Sequence, residues 1–331
     1  MPNKNIEILG TPIMPGKSYR LTLNIAKLHT RSNIEIPIIV SRGKKDGASI
    51  LLTGGIHGNE INGVEIVRSI IMAKYHKPTK GMVICIPVVN VFGFINQTRQ
   101  FPDGRDLNRV FPGNNRGSLA SRFAYHIMKE IIPYIDYGID YHTGGNARFN
   151  IAQIRMDPKN KECIQLARIF GAPFILQSKN KENTFRDVCV KQGKTILLFE
   201  GGKSMFSDDL ITSYGVAGAL RVMQHLGIRD FQKELSDSRY PATESILLES
   251  SRWVRASFSG MYRPYVGLGA YVEKGEVLAS ISDPFGEFEK SIKASSPGYV
   301  ICVNHSPIVN QGDAILHISK NGSNKKGTVA K

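Results

Sequence analysis

The sequence predicts an α/β protein: a mixed, largely parallel sheet flanked by helices, followed by a small C-terminal all-β barrel-sandwich module. Three observations carry this. Short apolar runs alternate with stretches of helical periodicity through the first two thirds of the chain, the pattern of strands returning through crossover helices. From about residue 245 that alternation gives way to short period-two runs punctuated by glycines. A chain of 331 residues with 41% hydrophobic content is also long enough to bury the cores of two domains. The expected division is an α/β domain over 1–244, a β module over 245–319, and a basic tail over 320–331 whose Gly/Ser/Asn/Lys content reads as disorder.

Taken in order, 48–54 (ASILLTG) is an apolar run ending in glycine, and 61–75 (INGVEIVRSIIMAKY) has apolar residues at helical spacing, so together they read strand, turn, helix. A second strand is expected at 82–89 (MVICIPVV). After the Gly/Asp/Asn-rich stretch 102–117 comes a helix at 118–132, then the strand-like YIDYGIDYH at 134–142. The alternation continues with a helix at 160–170, the strand TILLFE at 195–200 and a helix at 210–226. In open sheets of this kind ligands gather beyond the carboxyl ends of the strands. His57 and Glu60 follow one such end, His142 closes a second and Glu200 a third.

In the C-terminal module, GAYVEKGEVLASI is echoed by NHSPIVNQGDAILHI, which implies two related halves. The pattern resembles the biotinyl/lipoyl carrier type of β-sandwich. The connecting SDPFGEFEKS holds no carrier-type lysine motif, so Lys290 is expected to be a solvated surface residue.

Composition bounds the function classes. Forty-three Lys and Arg against 28 Asp and Glu leave a formal charge of +15, which by itself suits nucleic acid, an anionic surface or an anionic substrate; the basic residues are dispersed rather than striped, which argues against nucleic acid. No window offers the roughly 18 apolar residues of a membrane span, and the N-terminal stretch lacks a signal-peptide pattern, so no membrane association and a cytoplasmic location are expected. The four cysteines stand far apart with no C-x-x-C pair and read as core thiols. A homo-oligomer is compatible with all of this.

The chemistry concentrates in a few motifs. GGIHGNE at 54–60 places His57 and Glu60 across the turn into a helix, where both can face one point. A catalytic zinc takes neutral imidazoles and a carboxylate and keeps one position open for water. By itself H-x-x-E is a weak signal; a third ligand, His142 in IDYHTGG, strengthens it. Asp140, two residues earlier on the same side of its strand, is placed to orient that imidazole. Glu200 in LLFEGG ends an apolar strand, where a carboxylate has purpose if a cation or a water lies opposite, and there it can exchange a proton with an attacking water. Between these lies TRQFPDGRDLNRVFPG, in which Arg99, Arg105 and Arg109 suit a carboxylate substrate or a developing oxyanion.

The ordered set GGIHGNE, DLNRVFPG, IDYHTGG and FEGG resembles the succinylglutamate desuccinylase/aspartoacylase family, relatives of the zinc carboxypeptidases, over residues 45–225. The resemblance implies one Zn2+ per chain on His57, Glu60 and His142, with Glu200 as general base. It further implies that Asn108 and Arg109 clamp the substrate carboxylate and that Arg99 polarises the scissile carbonyl. The stretch before DLNR is slightly longer than in aspartoacylase and includes Arg105, which leaves open whether Arg99 or Arg105 polarises the carbonyl and makes Arg105 a further candidate for substrate binding. The implied reaction is hydrolysis of the amide of a small anionic N-acyl amino acid. Two other readings remain open: carboxypeptidase-like cleavage of a short peptide at the same site, and a non-catalytic binding protein that uses its positive charge to hold an acidic partner.

Overall fold

The computed structural model describes residues 5–240 and 244–320; the tail expected to be disordered lies, beyond Lys320, outside the described residues. A 13-stranded mixed sheet runs through the molecule. At its centre lie four parallel strands in the order Lys80–Ile86, Lys45–Thr53, Tyr137–Gly144 and Thr195–Lys203. Outside Lys80–Ile86 the antiparallel hairpin Ser18–Lys27 and Asn33–Arg42 completes one flank. Outside Thr195–Lys203 the strand Arg148–Met156 pairs antiparallel, and on its far side come Gly298–Asn304, Ala314–Ser319 and Ser251–Arg255.

The parallel strands are apolar on both faces because helices cover both. Successive residues point to opposite sides. Ile50, Leu52, Val83 and Cys85 therefore enter a core with helices Ile61–Met72, Lys161–Phe170 and Asp209–His225, while Leu51, Ile84 and Ile86 enter another with helices Leu119–Glu130 and Phe185–Lys191. The expected strands and helices of the first 226 residues all form, with shifted ends. The strand expected at 134–142 begins at Tyr137, because Ile132–Tyr134, with Pro133, make a 3-10 turn instead.

The C-terminal β strands join this sheet rather than standing apart from it. Gly298–Asn304 pairs with Arg148–Met156 (Cys302 opposite Asn150), and Tyr299 and Ile301 share a small core with Phe174 and Leu176. A second, four-stranded antiparallel sheet of Gly260–Pro264, Val277–Ser282, Glu289–Lys293 and Ile308–Val309 closes the sandwich. Lys290 lies exposed on one of its strands.

Helix Ile61–Met72 sits unusually close to the strand beneath it. A Cβ on Gly63 would lie 2.6 Å from the carbonyl oxygen of Tyr141, the residue before His142. Gly63→Val is therefore expected to lower stability by about 1–3 kcal/mol through overpacking. The shift of the denaturation midpoint measures it; an unchanged midpoint would show that helix and strand can separate freely.

Candidate active site

Each candidate residue is delivered by a different crossover. The strand Lys45–Thr53 ends before Gly54 and Gly55, and the chain turns through His57, Gly58 and Asn59 to Glu60, which occupies the N-cap position of helix Ile61–Met72. The turn fits only because residue 58 lacks a side chain: a Cβ there would sit 1.8 Å from the backbone of Gly93. His142 lies on the adjacent strand, and Glu200 is directly beside it on the next, one strand spacing or about 4.8 Å away.

The result is a buried cluster. His57 Nδ1 lies 2.7 Å from Glu60 Oε1 and His142 Nδ1 lies 2.9 Å from Glu60 Oε2. The two Nδ1 atoms are 3.3 Å apart. On the outer side of each ring a carboxylate takes the other nitrogen: Asp106 Oδ1 at 3.0 Å from His57 Nε2, and Asp140 Oδ2 at 2.8 Å from His142 Nε2. Asp140 is itself held by the Thr53 hydroxyl, 2.9 Å away. Each imidazole thus has a hydrogen-bond acceptor on Nε2, an arrangement that leaves Nδ1 as a lone pair directed inward.

Two lone pairs and a carboxylate facing one point form a site short of positive charge. Burial by itself disfavours an imidazolium at His142, yet Asp140 and Glu60 outweigh it and hold the pKa well above the ordinary 6.5. Burial would likewise raise Glu60, but His57 and His142 hold it far below the usual carboxylate range. The residues fit a divalent cation by composition and by spacing. Two nitrogens each ~2.05 Å from a tetrahedral zinc stand roughly 3.3 Å apart, the separation found between the Nδ1 atoms. The three groups together form the only cluster of this kind among the described residues.

The cluster lines a cavity of about 210 Å³. Six cationic side chains line it (Arg99, Arg109, Arg148, Arg155, Lys181 and Arg186), against the carboxylates of Glu60 and Glu200. Arg99 is engaged by Glu60 at 3.1 Å and Asp106 at 2.9 Å, and Arg155 lies 3.4 Å from Glu200. The other four have no carboxylate partner among the described residues. Burial, then the proximity of Arg109 and Arg155, pushes the Lys181 ammonium down. Arg186 is almost fully buried, and its Nε finds no hydrogen-bond partner.

The sequence-derived residues divide accordingly. His57, Glu60, His142, Glu200, Arg99, Asn108 and Arg109 all reach the cavity. Arg105 is not brought in: its half-exposed guanidinium turns back to Asp103, 3.5 Å away in its own loop. Asn108 spends its Oδ1 on the Phe185 amide at 2.8 Å, so only its side-chain NH2 is left for a ligand. Sequence reasoning missed Arg148, Asn150, Arg155, Lys181, Arg186 and Trp253. Asn150 donates to Glu200 Oε2 at 2.8 Å. The polar residues in RFNIAQIRM carried a signal, but a register shift opposite Glu200–Gly202 breaks the alternation that would have marked one face.

A parallel-centred sheet thus carries, at the carboxyl ends of its strands, a buried His–Glu–His cluster of the kind that can hold a metal ion, opening on a small cationic cavity. Residues 46–226, more than half of the chain, match the succinylglutamate desuccinylase/aspartoacylase catalytic domain, and the chain belongs to that family. It is 28% identical to the N-alpha-acetyl-L-2,4-diaminobutyric acid deacetylase of Halomonas elongata over 87% of this chain and 86% of that protein. Among solved structures it is similar to a succinylglutamate desuccinylase/aspartoacylase from Rhodobacter sphaeroides, with 25% identity, a TM-score of 0.81, and 93% and 96% of the two chains covered. The product-bound ectoine utilization protein EutE of Ruegeria pomeroyi shares the fold at 22% identity, with a TM-score of 0.82 over 94% and 97% of the chains. No described helix is long and apolar enough to cross a membrane.

The electrostatics of the cluster set a pH window for the metal-free protein. Glu60 and Asp106 have depressed pKa values, so their contribution is present above their ordinary values of 4.5 and 3.8 and is lost as pH falls below them. His142 is raised, so its contribution is present below 6.5 and is lost as pH rises through its elevated pKa. Melting temperatures of chelator-treated protein should fall on both sides of this window. The acid-side fall should be smaller in Glu60→Gln; a variant with the wild-type acid limb would contradict the assignment.

Proposed function

We propose that the protein is a zinc-dependent deacylase that hydrolyses the amide bond of a small anionic N-acyl amino acid, with His57, Glu60 and His142 as metal ligands and Glu200 as general base. The observation that carries this is the convergence of two carboxylate-anchored imidazoles and Glu60 on one point in the lining of a cavity rich in cationic side chains. Zinc, when bound there, lowers the pKa of water and draws charge from the scissile carbonyl.

The chain's own residues account for the rest. Glu200 accepts the proton of the attacking water on its carboxylate, where Asn150 and Arg155 hold it in place. The hydroxyl adds to the carbonyl carbon, the C–N bond breaks, and Glu200 returns the proton to the departing amine, leaving a carboxylate and a free amino acid. Arg99, fixed by Glu60 and Asp106, offers its guanidinium to the carbonyl oxygen as charge develops. Arg109 and the Asn108 NH2 hold the substrate carboxylate.

A cavity of about 210 Å³ supports a small substrate over a peptide, since pockets for drug-sized ligands run from roughly 300 Å³ upward. The complete set of ligand and base positions supports an enzyme over a non-catalytic binding protein. The segment 245–319 we treat as a module that contributes to the pocket, through Trp253. Four buried free thiols support a reducing, cytoplasmic setting.

Metal analysis of purified protein should give about one zinc per chain, lost in His57→Ala and kept in Glu200→Gln. On a panel of N-acyl amino acids, Glu200→Gln should lower kcat by about 10²–10⁴-fold. Wild-type protein that takes up no metal from supplied zinc would overturn the reading. Arg109→Ala should raise KM, whereas Arg105→Ala should leave it unchanged; the reverse order would place Arg105 at the substrate.

A further inference from the structure

Arg186 lines a second cavity besides the catalytic one, of about 380 Å³, a volume within the roughly 300–1,000 Å³ of small-molecule sites. It forms where the turn after strand Arg148–Met156 and the start of helix Lys161–Phe170 meet helix Phe185–Lys191 and strand Thr195–Lys203. None of His57, Glu60, His142 and Glu200 reaches it. Its two lysines, Lys159 and Lys161, are exposed and solvated, so the charges that bear on its interior are Asp157 and Arg186.

Arg186 is only 6% exposed. Its Nη1 donates to the Arg155 carbonyl at 2.6 Å, while its Nε has no acceptor. In the same lining the buried Oδ1 of Asn180 has no donor. Buried polar groups are normally partnered, so an orphaned donor and an orphaned acceptor on one cavity call for a ligand that offers both. Asp157 spends Oδ1 on the Lys159 backbone N–H at 3.0 Å, which leaves Oδ2. Burial lowers the Arg186 guanidinium and Asp157 is among the charges opposing that shift, yet no ion pair joins the two among the described residues. A carboxylate and a guanidinium that line one cavity without pairing suit a molecule that carries both charges itself. The remaining lining is apolar through Val190, Ile196 and Cys163, whose thiol burial pushes up to about 11 and so keeps neutral.

We propose that this cavity is a second binding site, for a free small α-amino acid: Asp157 and the Asn180 Oδ1 accept from its ammonium, and the Arg186 Nε donates to its carboxylate. A free amino acid is also what amide hydrolysis releases, so the site reads the level of product. That reading of the ligand as product rests on the deacylase reading; the two-charge site does not. Arg186 belongs to both cavities, and its Nη1 holds the backbone of Arg155, whose side chain faces Glu200. A ligand that engages Arg186 from the second cavity takes a cation away from the first, and an anionic substrate binds less tightly there.

Zinc-loaded protein would be titrated calorimetrically with L-alanine and with propionate and ethylamine, which each carry one of its two charges. Saturable binding of L-alanine is expected, with both analogues at least tenfold weaker. Asp157→Asn retains an Oδ1 for the Lys159 N–H and should weaken L-alanine roughly ten- to hundredfold, the loss of one charge-assisted contact. Its melting temperature, and its kcat and KM without added amino acid, should stay at wild-type values, and Arg109→Ala should bind L-alanine as wild type does. Binding that Arg109→Ala removes and Asp157→Asn leaves belongs to the catalytic cavity and overturns the assignment. Propionate binding as tight as that of L-alanine, or no saturable binding at all, overturns it too. In turnover, added L-alanine should raise KM in wild type and less in Asp157→Asn; equal rises overturn the coupling. Protein that binds L-alanine through Asp157 but hydrolyses no N-acyl amino acid counts against the deacylase reading and leaves the second site standing.

Discussion

Glu60 is almost sealed from solvent, yet its carboxylate meets both imidazoles, the Arg99 guanidinium and the Thr143 backbone N–H at 3.1 Å. A buried carboxylate is tolerable only when its charge is matched and its lone pairs are filled. Those four contacts come from the turn after the first parallel strand, from the strand of His142 and from the loop before DLNR. One side chain therefore fixes the distance between the helix Ile61–Met72, the central sheet and the arginine-bearing loop. The close packing at Gly63 and Gly58 serves the same end, since a helix held further away would pull Glu60 out of reach of His142.

The same requirement explains the outer layer of carboxylates. Asp106 and Asp140 each engage an imidazole nitrogen on the side away from Glu60, and Asp106 also receives Arg99. The site is thus an alternation of negative and positive groups in which every imidazole is oriented before any ligand arrives. Beyond it the balance tips: Arg109, Arg148, Lys181 and Arg186 line the cavity with no carboxylate partner among the described residues, and an entering anion would relieve their mutual repulsion. A part of the surplus of basic residues in the composition is thereby located.

Much of this was legible in the sequence because the chemistry sits at element ends. An apolar strand that stops at Gly-Gly and a histidine, or at a glutamate and Gly-Gly, marks its own boundary, and the helical periodicity of 61–75 and 210–226 needs no partner to be recognised. The N-terminal hairpin Ser18–Arg42 and the strand Arg148–Met156 were not assigned, for different reasons. The hairpin carries no ligating residue, and in the strand the bulge opposite Glu200–Gly202 places Asn150 and Arg155 in one cavity although their numbers differ in parity. Arg105 looked equivalent to Arg99 and Arg109 by composition; its nearest carboxylate, Asp103, decided otherwise. Trp253 was beyond reach because its place in the cavity lining depends on strand register across residues more than a hundred positions apart.

The ladder between Gly298–Asn304 and Arg148–Met156 makes the two parts of the chain mechanically one object. A pocket walled by two separate domains can open by swinging them apart, and such a swing is cheap when few contacts cross the boundary. Here it would have to tear backbone hydrogen bonds and expose Tyr299 and Ile301 with Phe174 and Leu176. Separating the walls at that boundary is therefore costly, and the irregular segments bearing Arg99 and Lys181 are the parts of the lining that can shift at least cost. In such a molecule the rate of exchange is a property of loops, while the shape of what is admitted belongs to the sheet.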